Sequence, residues 1–135
     1  MNIFEKHMNK FIFLYFFFFL SCVYSPNNTD KMINLSETEW VKLHDESEES
    51  VIIDVRTDDE FSTGYVGGAV NIDFYMGNEF ISEIDKLDKT KSYFIYCKSG
   101  ARSGQTCELM KQKGFKKVYN LEGGILGWTG KLEEL

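Results

Sequence analysis

The stretch Val51-Ile52-Ile53-Asp54-Val55 constrains the fold of this 135-residue chain more than any other. Successive strand residues point to opposite faces of a sheet. A short β-branched run without polar alternation therefore needs apolar cover on both sides, as in a parallel sheet layered between helices. Tyr93-Phe94-Ile95-Tyr96 and Val118-Tyr119-Asn120-Leu121 have the same character, and Ala69 to Ile72 and Met32 to Leu35 read as shorter strands. Amphipathic segments lie between them. Ser36 to Glu39 has the form of a capping box opening a helix with Trp40, Val41 and Leu43 on its apolar face. Asp45 to Ser50 reads as a loop, Asp58 to Thr63 as one or two helical turns, and Ile125 to Trp128 as a short final helix. Phe80, Ile81, Ile84 and Leu87 fall at helical spacing, and Ser103 to Lys113 reads as a helix closed by Gly114. Strands alternating with helices imply right-handed crossovers. The expected architecture is α/β: an open parallel sheet of about five short strands with helices on both faces.

The start of the chain has a different character. Phe11 to Leu20 is ten consecutive apolar residues, with Lys6, His7 and Lys10 before it and Ser21-Cys22 after it. Basic, apolar and small residues in that order make residues 1–21 a secretory signal. Ten residues of helix span roughly 15 Å, about half of a bilayer's hydrocarbon core. Phe19-Leu20-Ser21-Cys22 resembles the lipobox of bacterial lipoproteins, which implies acylation of Cys22 and attachment to a membrane by lipid alone; the alternatives are ordinary cleavage nearby, with Cys22 lost or left as a tail thiol, and an apolar segment retained as an N-terminal anchor. Residues 22–31 then form a polar tether and 32–135 the folded domain, exported to the periplasm or cell envelope. The body is acidic: Asp and Glu outnumber Lys and Arg by 21 to 15, for a formal net charge of −6. That balance argues against a nucleic-acid partner, which selects a clustered basic face.

Open sheets of this kind place their sites at the carboxyl ends of the strands, and Cys97 sits at such an end. The segment Cys97-Lys98-Ser99-Gly100-Ala101-Arg102-Ser103 joins a strand to a helix. Loop amides converging on a helix N-terminus favour negative charge and lower the pKa of a cysteine at their mouth. Gly100 supplies the backbone freedom that so tight a loop needs, and Lys98 and Arg102 add positive charge. A thiolate in an anion-binding cup suits attack on a sulfane sulfur or on a phosphate.

The same segment resembles the active loop of single-domain rhodaneses, Cys-x-x-Gly-x-Arg-Ser. Asp54-Val55-Arg56 with Glu60-Phe61 resembles that family's Asp-Val-Arg-x-x-x-Glu-Phe/Tyr segment. Residues 64–72 resemble its Gly-His-Ile-Pro-Gly-Ala-x-Asn-Ile segment, with Tyr65 in place of His and Gly67 in place of Pro. Gly123-Gly124 with Trp128 resembles its closing motif. Four residues separate Cys97 from Arg102, where related phosphatases have five; the resemblance therefore implies sulfur transfer. It implies Cys97 as nucleophile, carrying sulfur as a persulfide, and the loop from Lys98 through Ser99, Gly100, Ala101 and Arg102 to Ser103 as the donor site. The substrates implied are a small anionic sulfur donor such as thiosulfate and a thiol or cyanide acceptor, with a protein thiol as a further acceptor class. No metal or organic cofactor is required.

Several residues carry a plainer reading beside the functional one. Arg102 either binds the donor anion or pairs with an acidic neighbour and braces the loop. Lys98 reads as solvated surface. Asp54, Arg56 and Glu60 read as structural support, with an Arg56–Glu60 ion pair fixing the turn after the strand and Asp54 hydrogen-bonding nearby amides. Cys107, Met110 and Gly114 share one helical face, which makes Cys107 a core residue and not a partner for Cys97. Trp40 and Trp128 read as core plugs. His7 and His44 stand apart from other ligands, which disfavours a metal site.

Overall fold

A computed structural model describes residues 33–135. The expected signal segment, Cys22 and the tether lie outside the described residues. The chain runs β1 (Ile33–Leu35), α1 (Glu37–Glu46), β2 (Ser50–Asp54), α2 (Asp58–Ser62), β3 (Tyr65–Val66), β4 (Val70–Asn71), α3 (Asn78–Asp85), β5 (Ser92–Tyr96), α4 (Ala101–Gln112), β6 (Lys117–Leu121) and β7 (Leu132–Glu133). Short 3₁₀ turns occupy Phe74–Met76 and Gly124–Gly127.

Five strands form one parallel sheet in the order β1-β6-β5-β2-β4. The central strand β5 is buried at every position, and Ile53 faces Ile95, which in turn faces Asn120. Side chains of the three central strands feed two apolar layers. On one face Ile53, Ile95 and Val118 pack with Phe80 and Ile84 of α3 and with Cys107 and Met110 of α4. On the other, Ile52, Phe94 and Leu121 pack around Trp40 of α1, which Trp128 meets edge-on at 6.0 Å between ring centroids. Cover on both sides explains why β2 lacks polar alternation. The open α/β sheet expected from the sequence is thus the observed one.

The capping box at α1 forms as its residues dictate: the Ser36 hydroxyl accepts from the Glu39 amide, and the Glu39 carboxylate accepts from the Ser36 amide. Four details differ from expectation. α1 continues through Glu46, taking in residues expected to be loop. α4 starts two residues early, at Ala101, because Gly100 takes the turn at φ +96°. The segment after Gly123 makes a 3₁₀ turn instead of a helix, since the Ile125 and Leu126 amides donate outward to the Cys97 and Lys98 carbonyls. The two-residue ladder pairing β3 with β7 was not foreseen; Leu132–Glu133 is too short and too exposed to read as a strand.

Candidate active site

The buried run of β5 delivers the chain to Cys97 at the carboxyl edge of the sheet. The loop beyond it is short because Gly100 turns the backbone upward in the left-handed region, where a Cβ would come within 3.4 Å of the Gly123 amide and the Leu121 carbonyl. No side chain caps α4, so amides at its start remain available to whatever lies inside the loop. What lies there is the Cys97 sulfur. Gly100 N–H donates to Sγ at 3.1 Å and the Ser103 hydroxyl donates at 3.3 Å. Burial opposes charge on the thiol. Hydrogen bonds from the Ser103 hydroxyl and amide, and from the Gly100 and Ser99 amides, outweigh it and hold Cys97 below the ordinary thiol value. Cys97 itself has no exposed surface, 0 %.

The loop is held from behind by the Gly123-Gly124 turn. Ile125 N–H donates to the Cys97 carbonyl at 2.9 Å and Leu126 N–H to the Lys98 carbonyl at 3.1 Å. Gly124 sits so close that a Cβ there would lie 2.5 Å from both carbonyl oxygens. From the side, Asn120 Nδ2 donates to the Gly100 carbonyl at 3.2 Å and to Asn34 Oδ1 at 2.7 Å.

The ionic contacts differ from the expected Arg56–Glu60 pair. Arg56 turns inward onto Asp54: Nη2 to Oδ2 is 2.6 Å, Nε to Oδ2 is 2.9 Å, and Nη2 also donates to the Gly64 carbonyl at 2.8 Å. Asp54 is fully buried. A buried carboxylate is retained only with a partner that satisfies its lone pairs, and Arg56, two residues on, supplies both its amide and its guanidinium. Glu60 is thereby left to a different cation. Its carboxylate accepts from the Thr57 amide and hydroxyl to cap α2, and grips Arg102 across the loop, Nη1 to Oε2 and Nη2 to Oε1, both 2.8 Å. Arg102 hydrogen bonding, with the Thr57 contacts, overcomes burial and brings the Glu60 carboxyl down to about 2. The Tyr75 ring lies 5.3 Å from the Arg102 guanidinium carbon. Of the two roles open to Arg102, this conformation shows the bracing one.

Lys98, Ser99 and Ala101 are exposed, whereas Ser103 is buried. A cleft of about 490 Å³ opens beside the loop, lined in part by Arg56, Asp59, Glu60, Lys98, Leu126 and Leu132. Cys107 is fully buried in the core, and burial pushes its thiol up to about 12, so it stays protonated and inert. Tyr65, at the position of the expected His, stacks on Phe61 at 4.2 Å. Among the described residues no group of His, Cys, Asp and Glu is placed to hold a metal ion. Sequence reasoning missed Tyr75, Asn120 and the Ile125 and Leu126 amides. The double glycine was their one visible trace, since it marks a turn but not what the turn touches.

A cysteine whose thiol is held below its ordinary pKa, at the base of a strand–loop–helix cup on the carboxyl edge of an open parallel sheet, is the arrangement this α/β fold presents. The chain belongs to the rhodanese-like domain family, whose model matches residues 37–131. A relative from Bacillus subtilis (strain 168) named "Putative sulfurtransferase YtwF" is 42 % identical over 84 residues, covering 62 % of this chain and 78 % of that protein. A sulfurtransferase of Allochromatium vinosum is 36 % identical over 84 residues, covering 62 % of this chain and 76 % of its own length. The crystal structure of a rhodanese-like domain protein from Staphylococcus aureus superposes with a TM-score of 0.66 at 30 % identity, covering 77 % of this chain and 99 % of that one.

Proposed function

We propose that this protein is a sulfurtransferase that moves a sulfane sulfur through a persulfide on Cys97. The observation that carries the reading is the cup itself: a thiol held below its ordinary pKa by Gly100 and Ser103, inside a loop whose amides point at the sulfur. In the first step the Cys97 thiolate attacks the outer sulfur of a donor such as thiosulfate. The Sγ–S bond forms as the donor's S–S bond breaks, and the electron pair leaves with sulfite. In the second step a thiol or cyanide attacks the outer sulfur of the persulfide and restores the thiolate. The Ser99, Gly100 and Ser103 amides that favour the thiolate also suit the anionic persulfide. Neither step calls on a metal or an organic cofactor. The sulfurtransferase names of the two relatives support this reading. Export and attachment through a lipid on Cys22 belong to the proposal and rest on the sequence of residues 1–22.

The test is turnover: thiocyanate formed from thiosulfate and cyanide, beside a Cys97→Ser variant. Catalytic accumulation in the native protein alone supports the enzyme. The complete burial of Cys97 favours a second reading, a carrier that shelters its sulfur and releases it to a partner protein's thiol. A stoichiometric Cys97 persulfide without turnover supports that one.

A further inference from the structure

We infer that Asn120 is a positioning residue of the site: its side-chain amide holds the Gly100 backbone so that the Gly100 N–H stays on the Cys97 sulfur, and Asn34 orients that amide. The inference deepens the sulfurtransferase reading, on which its bearing on sulfur transfer rests.

Asparagine is out of place where it stands. β6 is buried at Val118, Asn120 and Leu121, and Asn120, 3 % exposed, lies beside Ile95 of the central strand. It shares a face with Val118, which packs in the apolar layer beneath α4. A buried amide costs free energy unless its polar atoms have partners, and asparagine is depleted in strands. Here Oδ1 is buried and accepts no hydrogen bond from the described residues. The contacts of Nδ2 must offset that cost.

Both partners of Nδ2 are acceptors. One is the Gly100 carbonyl at 3.2 Å, the other Asn34 Oδ1 at 2.7 Å. A backbone carbonyl only accepts, which turns Nδ2 and not Oδ1 toward the loop. Asn34 is exposed on the edge strand β1, opposite Asn120 in the β1–β6 register, and takes the second hydrogen. The position calls for two donors on one short uncharged group. Aspartate and leucine have the same branching and supply neither.

The hold on Gly100 reaches the sulfur through a single residue. Upstream, the Ile125 and Leu126 amides fix the Cys97 and Lys98 carbonyls at 2.9 and 3.1 Å. Downstream, the Gly100 carbonyl accepts from the Gly104 amide at 3.0 Å, at the end of α4 where helices fray, and from Asn120. Gly100 sits at φ +96° and ψ −7°, and glycine has the widest backbone freedom of any residue. Rotation about its φ swings the N–H, now 3.1 Å from Sγ, relative to the carbonyl. Asn120 opposes that rotation, because turning the carbonyl breaks its bond to Nδ2. Had the Asn34–Asn120 bond served only to pair β1 with β6, its loss would lower stability and leave Cys97 untouched.

The test titrates Cys97 in the full chain by the thiolate absorbance that Cys97→Ser lacks, and follows persulfide formation from thiosulfate over the same pH range. Asn120→Leu keeps the branching but has no donor. It is expected to raise the Cys97 midpoint by about one pH unit. Persulfide then forms about tenfold more slowly below the native midpoint and at the native rate well above both. Asn34→Ala, at an exposed side chain away from the loop, is expected to raise the midpoint by about half a unit. Asn34→Asp still accepts from Nδ2 and is expected to keep the native value. An unchanged midpoint in Asn120→Leu overturns the inference, and an unchanged midpoint in Asn34→Ala overturns the part given to Asn34. If Asn120→Leu does not fold, Asn34→Ala decides alone, and a native midpoint there overturns the inference. Raised midpoints in both variants with no persulfide on the native protein support the inference and overturn the sulfurtransferase reading.

Discussion

Arg102, in the first turn of α4, and Glu60, the residue that completes the cap of α2, meet through two parallel hydrogen bonds of 2.8 Å across the mouth of the Cys97 loop. One carboxylate thus starts a helix and fixes the loop that holds Cys97. The pair is partly exposed, with side chains 13 % and 29 % accessible, so water moderates its strength.

Arg102→Ala and Glu60→Ala are each expected to destabilise the fold, and the double variant to lose less than their sum. A coupling energy of about 1 kcal/mol fits a bidentate, partly shielded pair. Urea unfolding of the four proteins measures it. Strict additivity would show that the two side chains do not hold each other in solution.

Acid should weaken this brace. Folded Glu60 titrates at about 2, held there first by Arg102, against an ordinary value of 4.5. Its folded pKa is the lower, so between the two values the unfolded chain binds more protons and stability rises with pH. The contribution is complete above 4.5 and is lost as pH falls toward about 2. The stability difference between the native protein and Glu60→Gln, followed by denaturant unfolding, should shrink across that window. A difference that stays constant would contradict the assignment.

Ser103→Ala removes a hydroxyl that donates to Cys97 Sγ. The Cys97 thiol is expected to titrate higher, by about one pH unit for the loss of one hydrogen bond to a charged group. The pH profile of persulfide formation should move upward with it, because the reactive thiolate disappears as pH falls through the Cys97 pKa. Thiolate absorbance during a pH titration reads the shift. An unchanged midpoint would assign the lowered pKa to the loop amides alone.

Gly124→Ala and Gly68→Ala separate backbone strain from collision. Both glycines have positive φ, +58° and +76°, but only a Cβ at position 124 meets anything, the Cys97 and Lys98 carbonyls at 2.5 Å. Gly68→Ala should cost about 1 kcal/mol and leave sulfur transfer intact. Gly124→Ala should cost more and impair transfer by displacing the loop. Equal effects on transfer would remove the Gly123-Gly124 turn from the account of the site.

The sheet was legible because a parallel strand buried on both faces must be written mainly in apolar residues, and Val51 to Ile53 and Tyr93 to Tyr96 are. The Cys97 loop was legible because it is contiguous, its geometry set by neighbours in sequence. The ionic partners were not. Arg56 and Glu60 stand one helical turn apart, and only the tertiary placement of Arg102, 42 residues beyond Glu60, decides which cation each carboxylate keeps. The β3–β7 ladder escaped for a similar reason: two residues carry no periodicity, and their pairing depends on where the fold returns the chain.

The most direct test of the central claim is the intact mass of the protein after excess thiosulfate, beside Cys97→Ser. The account predicts a gain of roughly 32 Da, one sulfur atom, on the native protein only, removed by cyanide or a thiol. No gain, or the same gain in Cys97→Ser, would contradict it, because the sulfur would then have no place on Cys97.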